Sequence, residues 1–162
     1  MQETGQSTIP ASGGIDAFIA DVSRLAAQTS QTQSGAFRFI LRMGEDYAYI
    51  RLTDIWHPLR FFKQMAGMPP VSYGTQGFNE TILDDYNPAR HYTAFVLVGF
   101  WLPTFLAIIM LWLWEVASFL RYKGHWSQKD IVSGKIGIRH GRLVRRYSPT
   151  ILPSLIAADI AA

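Results

Sequence analysis

From Ala94 to Trp114 the chain runs for twenty-one residues without a charge, and Phe, Leu, Ile, Val and Trp dominate the run. Glu115 interrupts it once, before Val116, Phe119 and Leu120 resume it. A helix rises about 1.5 Å per residue, so roughly 20 apolar residues match the hydrocarbon core of a bilayer. On sequence grounds this stretch predicts one transmembrane helix over residues 94–120.

The remaining chain is then divided by that helix. Residues 1–35 read as an N-terminal arm with an amphipathic helix, 36–93 as an extramembrane segment with an interfacial helix, and 121–162 as a basic C-terminal arm. With 162 residues, 49% of them hydrophobic, and a mean hydropathy of +0.09, the chain is too polar for a multi-span transporter. It suits one span with sizeable flanks. No cysteine is present, which excludes disulfides, thiolate catalysis, iron–sulfur clusters and Cys-based zinc sites. Met1 to Gly14 has neither a basic n-region nor an apolar h-region, so it does not read as a cleavable signal.

Charge is unequally shared. Residues 1–93 hold seven Lys/Arg and nine Asp/Glu, a net of −2, whereas residues 121–162 hold eight and two, a net of +6. The positive-inside rule puts the C-terminal arm on the cytoplasmic or matrix side of a single-pass protein, in a bacterial or mitochondrial inner membrane. A hairpin turning at Pro103 is disfavoured, because one limb would hold too few apolar residues to span.

Local signals mark out the flanks. Ile15, Phe18, Ile19, Val22, Leu25 and Ala26 follow the i, i+3, i+4, i+7 spacing of an amphipathic helix. Between Ala36 and Leu52, Phe37, Phe39, Leu41 and Met43 alternate with arginines as in a β-hairpin. Ile40 and Ile50 break that alternation and admit a continuous amphipathic helix instead. His57-Pro58 to Gly67 predicts a helix at a membrane surface or packed on its neighbours. Asn79 to Leu83 predicts one helical turn, and Pro88 suits the start of the long apolar helix. Ser127 to Asp130 has a capping pattern for a short helix that Gly134 would stop. His140-Gly141 then suits the tip of a second hairpin. Leu152, Leu155, Ile156 and Ile160 predict a tail that docks on protein or lipid.

Few residues stand out for chemistry. Glu115 is a carboxylate within an apolar run, which marks it as a candidate intramembrane partner contact or an interfacial residue. Arg121, Lys123, Arg139, Arg142, Arg145 and Arg146 are candidate contacts for anionic lipid headgroups, or for an acidic partner. Gly99 and Pro103 suggest a kink or a close helix approach. None of the histidines (His57, His91, His125, His140) pairs at i, i+4, and there is neither a P-loop nor a Gly-x-Ser-x-Gly elbow. No catalytic, metal or cofactor set emerges.

The expected fold is therefore a mainly α membrane protein: a single transmembrane helix, amphipathic flanking helices and short β-hairpins in the flanks. The expected function is that of a non-catalytic accessory subunit in a multi-subunit membrane complex of respiratory or photosynthetic type. Its expected partners are other membrane-protein subunits and anionic lipids, with no nucleic acid and no cofactor. The stretch Gly77 to Leu102 (GFNETILDDYNPARHYTAFVLVGFWL), followed by a basic arm, resembles small inner-membrane components of type IVB secretion systems. That resemblance implies, as the alternative, a part in a secretion or conjugation apparatus.

Overall fold

The computed structural model describes residues 13–29, 33–51, 53, 71–83, 87–121 and 127–162. The helix expected from His57 to Gly67 lies outside these residues, as does Lys123. Six α-helices are formed among the described residues: α1 (Gly14–Gln28), α2 (Gln33–Met43), α3 (Pro88–Trp101), α4 (Thr104–Arg121), α5 (Gln128–Arg146) and α6 (Leu152–Asp159).

The long apolar run is not one helix. Pro103 has no N–H to give and disfavours helical geometry at the residue before it. Leu102 accordingly takes extended angles, φ −103° and ψ 147°, and ends α3. The chain then reverses, so that His91 of α3 meets Glu115 of α4, and α3 and α4 run antiparallel. The break leaves eight uncharged residues of the run in α3 and eleven in α4 before Glu115. Among the described residues no helix is long and apolar enough to cross a membrane. This overturns the single transmembrane helix, and with it the membrane class, the single-pass inner-membrane location and the cytoplasmic or matrix placement of the C-terminal arm. Apolar content was sufficient for a span; the proline sets where the helix stops.

Both expected hairpins are also corrected to helix. In the first, Ala36, Phe39, Ile40, Met43 and Tyr47 are buried, a 3.6-residue period rather than a two-residue one. There α2 passes into a π-helical turn, Gly44–Ala48, which ends at Tyr49 with a φ of 59°. In the second, α5 continues through Gly134 and His140-Gly141 as far as Arg146. Its glycines are contact points and not stops. A Cβ on Gly99 of α3 would run into the backbone of Ile138, and one on Gly141 into the backbone of Val96 and Phe100. Gly137 lies against Tyr92 and Gly141 against Phe100, so α3 and α5 run parallel with their backbones nearly touching.

Other local signals act as expected. Ser127 Oγ accepts the N–H of Asp130 at 3.0 Å and caps α5. Asn79 Oδ1 accepts the N–H of Thr81 at 3.0 Å and caps a 3-10 turn, Glu80–Ile82. Pro88 opens α3 at the position where its missing N–H costs nothing.

The main core forms around Phe18 of α1, whose ring lies 5.0 Å from Tyr73, 5.7 Å from Tyr47 and 6.1 Å from Tyr92. Ile15, Val22 and Ala26 extend that face. Leu152, Ile156 and Ile160 of the tail join the same core. Asn79 N–H donates to Ile160 and Ala162 N–H to Gly77, so the tail docks on its own chain, with an isolated bridge between Phe78 and Ala161.

Candidate functional site

Three features of the α3–α4–α5 unit hold chemistry. The first is a cleft of about 770 Å³ at the Pro103 end, floored by Leu102, Ile108, Ile138 and Leu143 and edged by basic side chains of α5. The helical period of Lys135, Arg139, Arg142 and Arg146 turns them to one side. Arg145 Nη1 donates to the carbonyl of Phe100 at 3.0 Å, serving the C-terminal end of α3, where carbonyls lack helical partners and a cation is favoured. Arg139 binds Asp159 at 2.6 Å, and the Arg146 guanidinium lies 5.4 Å from the centre of the Tyr147 ring. Arg142 is exposed. The four arginines read from sequence as one basic cluster thus do line one cleft, although three of them also make contacts within the fold. Arg121 ends α4, away from them in the chain.

The second is a buried relay. Tyr92 and His140 are wholly inaccessible. Tyr92 Oη lies 2.7 Å from His140 Nδ1, and His140 Nε2 lies 2.9 Å from Asp159 Oδ2. A neutral imidazole satisfies both contacts when Tyr92 donates to Nδ1 and Nε2–H donates to Asp159. Burial holds the His140 pKa below its ordinary value, helped by the Arg139 charge and opposed by Asp159. Burial pushes the Tyr92 phenol well above its ordinary value, and the Asp159 charge adds to the rise. Burial also pulls Asp159 upward, but hydrogen bonds from His140 and Arg139 outweigh it and hold the carboxyl below its ordinary value. The relay bolts α3, α5 and α6 together; with Tyr92 and His140 sealed from solvent, it offers a substrate no access.

The third lies at the opposite end of the α3–α4 pair. His91 of α3, Glu115 of α4 and Asp130 of α5 each bring one donor atom to within 4.8 Å of the others. Glu115 is only 3% exposed, and His91 and Asp130 are half-buried. The His91 ring is steadied by Phe95, 4.9 Å between ring centres, and its Nε2 donates to the carbonyl of Asp130 at 2.9 Å. Sequence inspection isolated Glu115 but not this group, because its members are spread over 40 residues and no spacing rule joins them.

The outer side of α4 completes the picture. Ala107, Leu111 and Glu115, four residues apart, are the buried positions among the described side chains of the helix. Phe105 (65%), Ile109 (50%), Leu113 (58%) and Val116 (46%) remain exposed, flanked by Met110 and Trp112. Comparison with protein-family models, with curated proteins and with solved structures finds no match for this chain.

Proposed function

We propose that this chain is a non-catalytic accessory subunit of a multi-protein assembly, and that the outer face of α4 is where it docks. One observation carries the reading: the exposed stripe formed by Phe105, Ile109, Leu113 and Val116, which runs along the helix. Contiguous exposed apolar surface of this kind marks an interaction site, since water is expelled from it on association. The partner is a protein with an apolar helix face that carries acidic residues near one end. Those acids meet the basic rim of the cleft, where Lys135 and Arg142 lie beside the start of α4. The sealed Tyr92–His140 pair supports a structural role for the polar core and not a catalytic one.

The test uses the full chain, tagged and purified from its native source in mild conditions, with the bound proteins and their stoichiometry measured. A stoichiometric acidic partner is expected, lost from Phe105→Glu and Leu113→Glu and weakened by added salt. A monomer, a homodimer, or a complex that both variants retain overturns the reading. So does recruitment to anionic lipid vesicles that the same substitutions abolish.

A further inference from the structure

We infer that His91, Glu115 and Asp130 form a binding site for a first-row divalent metal ion such as Zn2+. The argument starts from α4. Its inward positions Ala107, Leu111 and Glu115 share one face, and the first two pack in an apolar cluster with Phe95 and Ile131. Packing alone would be served by a leucine at the third position. A carboxylate buried there carries a desolvation cost that must be met by its surroundings. Among the groups it faces are an imidazole and a second carboxylate, from two other helices.

Geometry and chemistry agree on a cation. Ligand atoms around Zn2+ lie roughly 2.0–2.2 Å from the metal, so neighbouring ones are about 3.4 Å apart in a tetrahedron. The three donors lie within 4.8 Å of one another, and side-chain rotations of about an ångström close the set. Two carboxylates and a neutral imidazole sum to two negative charges, which a dication neutralises. The imidazole selects Zn2+ and its first-row neighbours over Mg2+ and Ca2+, which prefer all-oxygen sites. The His91 bond to the Asp130 carbonyl fixes the ring's plane and tautomer, as outer-sphere carbonyls do for metal-bound histidines. Ser127 accepts the Asp130 N–H, which fixes the backbone that carries the second carboxylate. Three protein ligands leave a fourth position for water, and the half-buried His91 and Asp130 open it to solvent. This site is independent of the docking face and lies on the opposite side of α4 from it.

The experiment is calorimetric titration of the chelator-treated full chain with ZnCl2, and with MgCl2 as the control. One Zn2+ per chain is expected, with no saturable binding of Mg2+. Co2+ in place of Zn2+ is expected to develop visible absorption bands on binding. Asp130→Asn and Glu115→Gln should each weaken Zn2+ binding by more than about 100-fold, beyond the roughly 10–100-fold typical of an outer-sphere partner. If Glu115→Gln does not fold, Asp130→Asn and His91→Ala, both at half-buried positions, decide the matter. Absence of saturable Zn2+ binding overturns the proposal. So does Zn2+ binding that persists unchanged in folded variants, which would place the ion on other histidines.

Discussion

α3 and α4 are the two halves of one apolar run, and they have opposite fates. Nine residues of α3 are buried, including Tyr92, Val96 and Phe100 with no accessible surface. Among the described side chains of α4 burial follows one narrow stripe, and large residues such as Phe105 and Leu113 face outward. Their compositions do not explain this. The difference is what meets α5: Gly137 and Gly141 let the α3 backbone itself close on it, whereas α4 reaches it through a side chain, Leu111, which fills the space over Gly134. How apolar a helix is says how much surface it must bury; the size of the residues facing it says how much it can.

The strongest way to break this contrast is to fill the close contact. Gly141→Val puts side-chain atoms against the backbone of Val96 and Phe100, and overpacking of this kind costs about 3 kcal/mol or more when backbone must move. Denaturant unfolding should show that loss, or no cooperative transition at all. Next in size is a pair two residues apart on α4. Leu111→Ala removes a side chain with no exposed surface and should cost about 2–5 kcal/mol. Leu113→Ala, at a position 58% exposed, should stay within about 0.5 kcal/mol. Equal effects from the two would dismiss the one-sided burial of α4. Tyr92→Phe tests the polar tie of α3 to α5: it leaves His140 Nδ1 buried without its donor, at about 1–3 kcal/mol.

The smallest effect is on pH dependence. His140 is kept neutral in the fold with its pKa below the ordinary 6.5, so the unfolded chain takes up a proton first as the medium is acidified. Its contribution is complete above about pH 6.5 and is lost as pH falls through the range below. Asp159, held below its ordinary 3.8, adds a second loss in stronger acid. Thermal midpoints measured from neutral pH downward should therefore decline, and a flat profile between pH 7 and pH 5 would exclude the neutral His140.

What was legible in the sequence follows the range of each signal. The face of α1, the Ser127 cap, the 3-10 turn after Asn79 and Pro88 at the head of α3 are written within a few residues of where they act. The alternation over Phe37 to Met43 misled because two of its members, Phe39 and Met43, lie four residues apart and also share a helix face, and only the burial of Ile40 with Phe39 and the exposure of Leu41 separate the two. Gly134 and Gly141 read as punctuation, because their actual roles depend on Leu111 of α4 and on the backbone of α3, both far earlier in the chain. Pro103 was visible, but a kink and a full reversal differ by contacts that Ala107 and Leu111 make with distant side chains. The same distance hid the grouping of His91 and Asp130 around Glu115.

The parallel pairing of α3 and α5 has a consequence for how the molecule comes to be. Two helices side by side in the same direction cannot be joined by a tight turn, so the chain must travel back along α3 before α5 begins, and α4 is that return stroke. Gly99 and Ile138, which meet in the pair, are 39 residues apart. Contacts of such separation form late and set the pace of folding. The entropy of closing the intervening loop grows only as its logarithm, so each doubling adds about 0.6 kcal/mol. As a tether, α4 is constrained in length and along its one inward stripe, and its outer surface remains at liberty to change without disturbing the assembly of the rest.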